Sequence, residues 1–465
     1  MKSATTSDVN VAGPRSSRPS TTWSAAWSGN TSAVLHASMI ALGLVFIFDV
    51  ITQPGRITED FRSYYLAGWA ARLGSTIYDP AVLREIGAIL EVETPINPYL
   101  YPPPLAFAAS ALARLSPSAA QVVWWAVGLG LIAPAVTQLT IQMARLNDGN
   151  DANGARASVA LPELSLMFML GGFLLWMFNI RSNMWWGQVN PIVVAVILFA
   201  TRAHLRKNGA ACGALLAVAA LIKMTPALLL LYFCADRSLR RSVLAGFAGA
   251  LILGFVATLP LGGFSAWLAF IDQVPRMSHG SHIPGLFPAS SPANYSFAGF
   301  FARLAGDGTL VTRVLTYAAV LTLLAPILVQ LWRARRDPRG RALLLMPLSI
   351  VMMIGSPLAY AHYVLYLLPG ALFQLAFAVR SGQVKYVGLL AALFAIVSTD
   401  FPAFYYRFHY GPMGDLLLTS LNLYALLVLY LVGMRLAAST IAATAAEQTP
   451  ADSERQLQGG LVTSP

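Results

Sequence analysis

Asp60 stands in Thr58-Glu59-Asp60-Phe61-Arg62-Ser63-Tyr64-Tyr65, a few residues past a long apolar run. A carboxylate at such a boundary can take the proton of an attacking hydroxyl. The same acid would equally suit the positive end of a helix dipole. Glu59 beside it would offer a divalent cation a second ligand, but no further acids cluster there, so no metal or other cofactor is expected.

Lys223 interrupts an apolar run in Leu221-Ile222-Lys223-Met224-Thr225-Pro226. An ammonium there costs roughly 2.5 to 3.5 kcal/mol on insertion scales, so it either serves a function or snorkels from a helix end. A phosphate would be its natural partner. Arg181 and the turn Trp185-Trp186-Gly187-Gln188-Val189-Asn190-Pro191 supply a cation, aromatic faces and amides fit for a phosphate or a sugar, although an interfacial tryptophan belt explains the aromatics as well. His362, at the head of another apolar run, can donate to a phosphate oxygen or a leaving group, or simply close a helix end. Tyr101-Pro102-Pro103-Pro104 reads mainly as a helix start.

The elements that must position these groups follow from composition. The 465 residues are 57% hydrophobic and 11% charged, and mean hydropathy is +0.62. That is more apolar surface than a soluble fold can hide, so the solvent is lipid. Apolar runs of roughly 18 residues, enough for about 30 Å of hydrocarbon, recur from Val34 to Met434 and give an all-α bundle of about 10–12 spans. Lys and Arg outnumber Asp and Glu by 31 to 20. The excess sits in short loops, at Arg202, Arg206 and Lys207 and at Arg333 to Arg341, which is the positive-inside pattern and argues against nucleic acid. Cys212 and Cys234 read as small core hydrophobes.

Residues 1–31 read as a disordered cytoplasmic terminus, 32–436 as the membrane domain and 437–465 as a disordered tail. The stretch 33–51 is too long for a signal-peptide core and reads as a first span. A loop from Thr52 to Tyr101 carries two helices, Asp60 to Leu73 ended by Gly74, and Pro80 to Leu90 capped by Asp79, both expected at the interface. Further apolar segments fall at 102–114, 119–143, 162–180, 189–201, 209–235, 242–260, 310–332, 342–358, 362–379, 385–400 and 416–436. One unbroken span at 209–235 would put two basic loops on opposite sides, so two half-helices meeting near Lys223 and Pro226 are expected there. The segment 102–114 is short enough to be re-entrant. A second long loop, Leu261 to Gly308, carries His279, His282, Asn294, Tyr295 and Arg303 on the side of Asp60. No Walker loop, dinucleotide fingerprint, serine elbow or Cys/His metal spacing occurs.

Taken in order, Asp60-Phe61-Arg62-Ser63-Tyr64-Tyr65 with Gly74 and Tyr78-Asp79, Tyr101-Pro102-Pro103, Gly187-Gln188-Val189-Asn190, Lys223-Met224-Thr225-Pro226, Asn294-Tyr295-Ser296 with Arg303, and Ser356-Pro357 with His362 resemble glycosyltransferase family 87 over about 300 residues. Members often have a Trp and paired histidines where this chain has Tyr360-Ala361-His362-Tyr363. The resemblance implies a GT-C fold, a polyprenyl-phosphate sugar as donor and a cell-envelope glycan or glycolipid as acceptor. It also implies action at the outer face of a bacterial plasma membrane, with inversion. It makes Asp60 the catalytic base and puts His362 near the donor phosphate, while Lys223, Arg181, Gln188, Asn190, Tyr64, Asn294 and Arg303 complete the expected substrate-binding set. The rival reading of the same spans is a transporter or flippase of sugars or lipid-linked sugars.

Overall fold

The computed structural model describes residues 57–92, 95–148, 180–259, 263–275, 287–381, 383–399 and 411–460. The expected first span, all but the last residue of the expected span 162–180, and His279 and His282 lie outside them. Within the described residues the chain is helical, with no strand.

Helix α1 (Glu59–Arg72) begins one residue before the expected start, and Gly74 just past its end takes φ +65. Asp79 caps α2 (Pro80–Ile89), its side chain accepting from the Ala81 N–H at 2.8 Å. The tyrosines of α1, expected among lipid headgroups, are instead covered by protein. Phe61, Tyr64 and Tyr65 are buried, and only Trp69 stays half-buried. The reason is the short helix α3 (Pro103–Ala109), which packs along α1 so closely that a Cβ on Gly68 would meet the Ala109 backbone. A 3-10 turn at Leu112–Arg114 then leads into α4 (Pro117–Asp148), so 102–114 is a half-length element as its apolar count requires.

Among the described residues five helices are long and apolar enough to cross a membrane: Pro117–Met143 in α4, Arg240–Thr258, Leu310–Arg333, Ala361–Ala378 and Leu421–Ala446. Shorter apolar helices run at Asn190–Leu205, Gly209–Ile222 and Lys385–Ser398. This is a polytopic helical bundle whose solvent is lipid. Between α4 and the second of these long helices come α5 (Ile180–Trp186), α6 (Asn190–Leu205), α7 (Gly209–Ile222) and, after a 3-10 turn at Thr225–Leu229, the single turn α8 (Leu230–Phe233). The chain is therefore broken at Lys223, whose backbone is extended at φ −150 and ψ 122. Pro226 supplies the physical cause, since it cannot continue the ladder of α7.

The second half follows as α9 (Arg240–Thr258), α10 (Gly263–Gln273), α11 (Phe297–Ala305), α12 (Leu310–Arg333), α13 (Pro338–Leu343), α14 (Leu345–Ile354), a 3-10 turn at Ala361–Leu367, α15 (Leu368–Arg380), α16 (Val384–Ser398), α17 (Gly411–Thr419) and α18 (Leu421–Gly460). Every residue of α14 is buried, which makes it the centre of the core. By contrast α9 and α12 turn large apolar side chains outward, among them Ile252, Leu253, Leu310 and Leu321. The tail expected to be disordered from 437 is helical to Gly460. Ala437 is buried and Ile441 packs on the core, because an Ala-rich stretch both favours helix and fits closely beside α13.

One acid gathers three basic loops at a single end of the bundle. Asp236 Oδ2 accepts from Lys207 Nζ at 3.1 Å and from Arg341 Nη2 at 3.0 Å. The loops 202–207 and 236–241 thus lie on one side, as the sign rule demands of a broken segment. Helix α7, with 14 residues, rises about 20 Å and carries Lys223 to the other end.

That climb runs along α9 on a seam of small residues. A Cβ on Gly213 would collide with the Val243 carbonyl, and one on Gly246 with the Ala210 carbonyl, whereas Gly249 faces open space. Gly213→Leu should cost at least the roughly 1–3 kcal/mol of an overpacked core and lower the thermal unfolding midpoint of detergent-purified protein. Gly249→Ala should leave that midpoint in place.

Candidate functional site

Lys223 reaches the site because the chain is extended where α7 ends, and its ammonium is buried, at 8% exposure. Nζ donates to Asn190 Oδ1 at 3.0 Å. It also lies 3.8 Å from the centre of the Tyr363 ring and 5.8 Å from those of Tyr101 and Tyr366. Ring faces and one amide oxygen thus replace water around this cation.

Asn190, at the first turn of α6, is the hub. Its Oδ1 accepts from Lys223 and from the Tyr366 hydroxyl, both at 3.0 Å. Its Nδ2 donates to Asn183 Oδ1 at 3.0 Å and to the His362 carbonyl at 3.3 Å. All four hydrogen-bonding positions of the amide are used, so Asn190, expected among the substrate ligands, has none left for a substrate. Asn183 donates to the same His362 carbonyl at 3.0 Å. The hub therefore ties α5, α6, the break after α7 and the turn before α15 together.

Asp60 meets this cluster from α1. Gln188 Nε2 donates to Asp60 Oδ2, and Asn97 Nδ2 lies 3.4 Å from Oδ1. Asp60 is partly open by surface area, while Lys223 lies within electrostatic reach. Protein around the carboxyl, more than anything else, raises its pKa to about 6, against the lowering pull of Asn97 and Lys223. The approach of Gln188 depends on Gly187, which takes φ +70 and whose missing Cβ leaves room for Thr58 and Phe61. Trp124 Nε1 holds the Gly187 carbonyl at 3.0 Å from α4.

Tyr64 donates its hydroxyl to that of Tyr101 at 2.8 Å, with the rings edge to face. His362 is buried between the rings of Tyr360 and Tyr363, its imidazole close enough to feel the charge of Lys223. Asp60, Tyr64, Gln188, Asn190, Lys223 and His362 thus belong to one polar cluster, joined through Tyr101, Tyr363 and the 188–190 turn. Arg181 is placed by its backbone alone, in α5.

Asn294 and Arg303 form a different assembly. The Asn294 amide donates to the carbonyls of Ala289 and Pro357 and accepts from the N–H groups of Ser296 and Ala359. Arg303 donates to the Ser291 and Asn294 carbonyls and to Ser420 Oγ. Asn294 is spent on backbone and clasps the loop 357–359, which leads to His362, while Arg303 braces Asn294 and Ser420. Trp185 is exposed, as a belt residue would be.

Sequence reasoning passed over Asn97, Asn183, Tyr366 and Arg62. Arg62 donates to the Pro95 carbonyl at 2.5 Å and the Ile57 carbonyl at 2.8 Å, so it fixes the strand of chain that presents Asn97. An asparagine beside prolines, as in Ile96-Asn97-Pro98-Tyr99, was the available signal for that turn.

A carboxyl that titrates at about 6, within electrostatic reach of a buried ammonium, is the charge arrangement this helical bundle holds together. The profile of glycosyltransferase family 87 matches residues 99–360, more than half the chain, and the protein belongs to that family. The match takes in Gln188, Asn190, Lys223, Asn294 and Arg303, begins after Asp60 and ends two residues before His362.

Two curated relatives are polyprenol-phosphate-mannose-dependent alpha-(1-2)-phosphatidylinositol mannoside mannosyltransferases. That of Mycobacterium tuberculosis is 28% identical over 343 residues, covering 72% of this chain and 73% of its own. That of Mycolicibacterium smegmatis is 27% identical over 368 residues, covering 75% and 80%. A pentamannoside mannosyltransferase of the latter organism is 31% identical over 206 residues, 42% of this chain. No solved structure matches the chain significantly.

Removing the hub separates its positioning role from chemistry. Asn190→Ala strands the Lys223 ammonium and the Tyr366 hydroxyl, each worth roughly 1–3 kcal/mol when left without a partner. The variant should unfold at lower temperature than the wild type, and Asn190→Asp, which keeps an acceptor for Lys223, should recover part of the loss in the same melting assay.

Proposed function

We propose that the protein transfers a hexosyl group, mannosyl by analogy with its relatives, from a polyprenyl phosphate to a hydroxyl of a glycolipid or envelope glycan. Phosphatidylinositol mannosides are the acceptors named for those relatives and the first class to try. The observation that carries the reading is that one turn holds both charges, Gln188 bonded to Asp60 and Asn190 to Lys223, at the end of α7 away from the basic loops. By the positive-inside rule that end faces away from the cytoplasm, in keeping with a plasma-membrane enzyme using a flipped lipid donor.

In this mechanism Asp60 accepts the proton of the acceptor hydroxyl as its oxygen bonds to the anomeric carbon. The bond from that carbon to the phosphate oxygen breaks, and the polyprenyl phosphate leaves with the electron pair. Lys223 neutralises the charge that grows on the phosphate, and the poorly hydrated pocket strengthens that attraction. His362 stands beside Lys223 to donate to a phosphate oxygen. One displacement with one base gives inversion at the sugar carbon.

Asp60→Asn keeps the shape and removes the base. Transfer of labelled mannose from polyprenyl phosphate to phosphatidylinositol mannoside in proteoliposomes should fall by roughly 10²–10⁴-fold with the melting temperature preserved. Turnover at the wild-type rate would remove Asp60 from the mechanism.

The pH profile has a fixed sign. The carboxyl accepts a proton only when ionised and titrates at about 6, so the rate should rise with pH up to that value. Below it the rate should fall about tenfold per pH unit. An acid limb near 4 would contradict the buried carboxyl.

A further inference from the structure

Gln188 is used at one end only. Its Nε2 donates to Asp60 Oδ2, while its Oε1 is buried and meets no hydrogen-bond partner among the described residues. The side chain is 6% exposed. A buried carbonyl oxygen without a donor is costly, and a functional pocket is where such a cost persists.

The surroundings leave the amide little freedom. The Gln188 N–H donates to the Asn183 carbonyl at 2.7 Å, and the neighbouring Gly187 N–H to that of Met184 at 3.0 Å. Trp124 and Trp125, consecutive on α4, donate to the Gly187 and Met184 carbonyls at 3.0 and 3.1 Å. At the partner side, Thr58 N–H donates to Gln121 Oε1 at 2.7 Å, again from α4. One helix therefore holds both the turn that carries Gln188 and the start of α1 that carries Asp60. An ionised Asp60 can only accept, which points the amide nitrogen toward it and turns Oε1 away, toward whatever donor enters the pocket.

We infer that Gln188 is a positioning and acceptor-selecting residue: its amide nitrogen orients the Asp60 carboxylate, and its amide oxygen receives a hydroxyl of the incoming acceptor sugar or polyol. This deepens the proposed function and rests on it for the acceptor half alone. The ligand class is a polyol with neighbouring hydroxyls, one bound to Gln188 Oε1 and the reacting one presented to Asp60.

The test uses the full-length protein in proteoliposomes, with Gln188→Met, a close match in volume without polar ends, and Gln188→Glu, which keeps size but places a second carboxyl against Asp60. Two readouts are taken. The first needs no substrate: the pH midpoint of Asp60 labelling by dicyclohexylcarbodiimide, which attacks protonated buried carboxyls, followed by peptide mass spectrometry. Loss of the donor in Gln188→Met should move the midpoint up by about half a unit to one unit, and Gln188→Glu should move it up further, since adjacent carboxyls resist ionising together. The second is transfer from polyprenyl-phosphate mannose to phosphatidylinositol mannoside. In Gln188→Met, kcat/KM for the acceptor should fall about 10- to 100-fold while KM for the donor stays within about twofold.

An unchanged labelling midpoint in both variants overturns the orienting role. Equal losses in donor and acceptor parameters overturn the acceptor role and mark Gln188 as structural. If the wild type transfers nothing to this acceptor yet the midpoint moves as stated, the proposed substrate fails while the hold of Gln188 on Asp60 stands.

Discussion

A lone ammonium held out of water is the constraint around which this bundle is arranged. Lys223 is presented by a chain break, and everything near it is explained by the need to replace its hydration. Three tyrosine rings and one amide oxygen do so, and the amide belongs to a residue whose remaining hydrogen bonds all go to parts of the pocket wall. A cation satisfied in this way has one oxygen acceptor among the described residues, Asn190 Oδ1. The price of the arrangement is local rigidity, since movement of Asn190 leaves both Lys223 and Tyr366 without their acceptor.

The carboxylate sits in a different balance. Asp60 is partly accessible, faces amide donors and feels Lys223 at a distance. Burial disfavours its charge and the donors favour it, and the result lies near neutrality. Catalysis by proton abstraction gains most from that value, because a base that is too acidic takes no proton and one that is too basic is never free. The two charges thus have separate supports, α1 and the loop of Asn97 for one, α6 and the turn before α15 for the other, with the Gly187–Asn190 turn common to both.

Much of this was legible in the sequence. The break near Lys223 followed from the sign of two basic loops, and Pro226 named its place; the caps of α1 and α2 followed from Gly74, Asp79 and Pro80. Residue types singled out Asp60, Gln188, Lys223 and His362 one by one, and only the family resemblance put them at one site. What composition does not carry is which polar groups spend their bonds on each other. Asn190 and Asn294 look alike as amides beside turns, yet one closes the hub around Lys223 and the other clasps the loop 357–359. Tyr64 and Tyr65 resemble belt residues until α3 is seen to cover them. The Ala-rich segment past Met434 reads as a tail by its small residues, while those same residues let it pack as helix beside α13.

The hairpin made by α7, the Lys223 break and α8 begins and ends at the same electropositive end, where Asp236 clamps Lys207 and Arg341. Such a hairpin contributes nothing to the alternation of sides along the polypeptide. During biogenesis neither flank needs to be translocated: only a tip bearing one ammonium is pushed through, and the orientation of every later helix is the same as if residues 209–235 had never dipped into the bilayer.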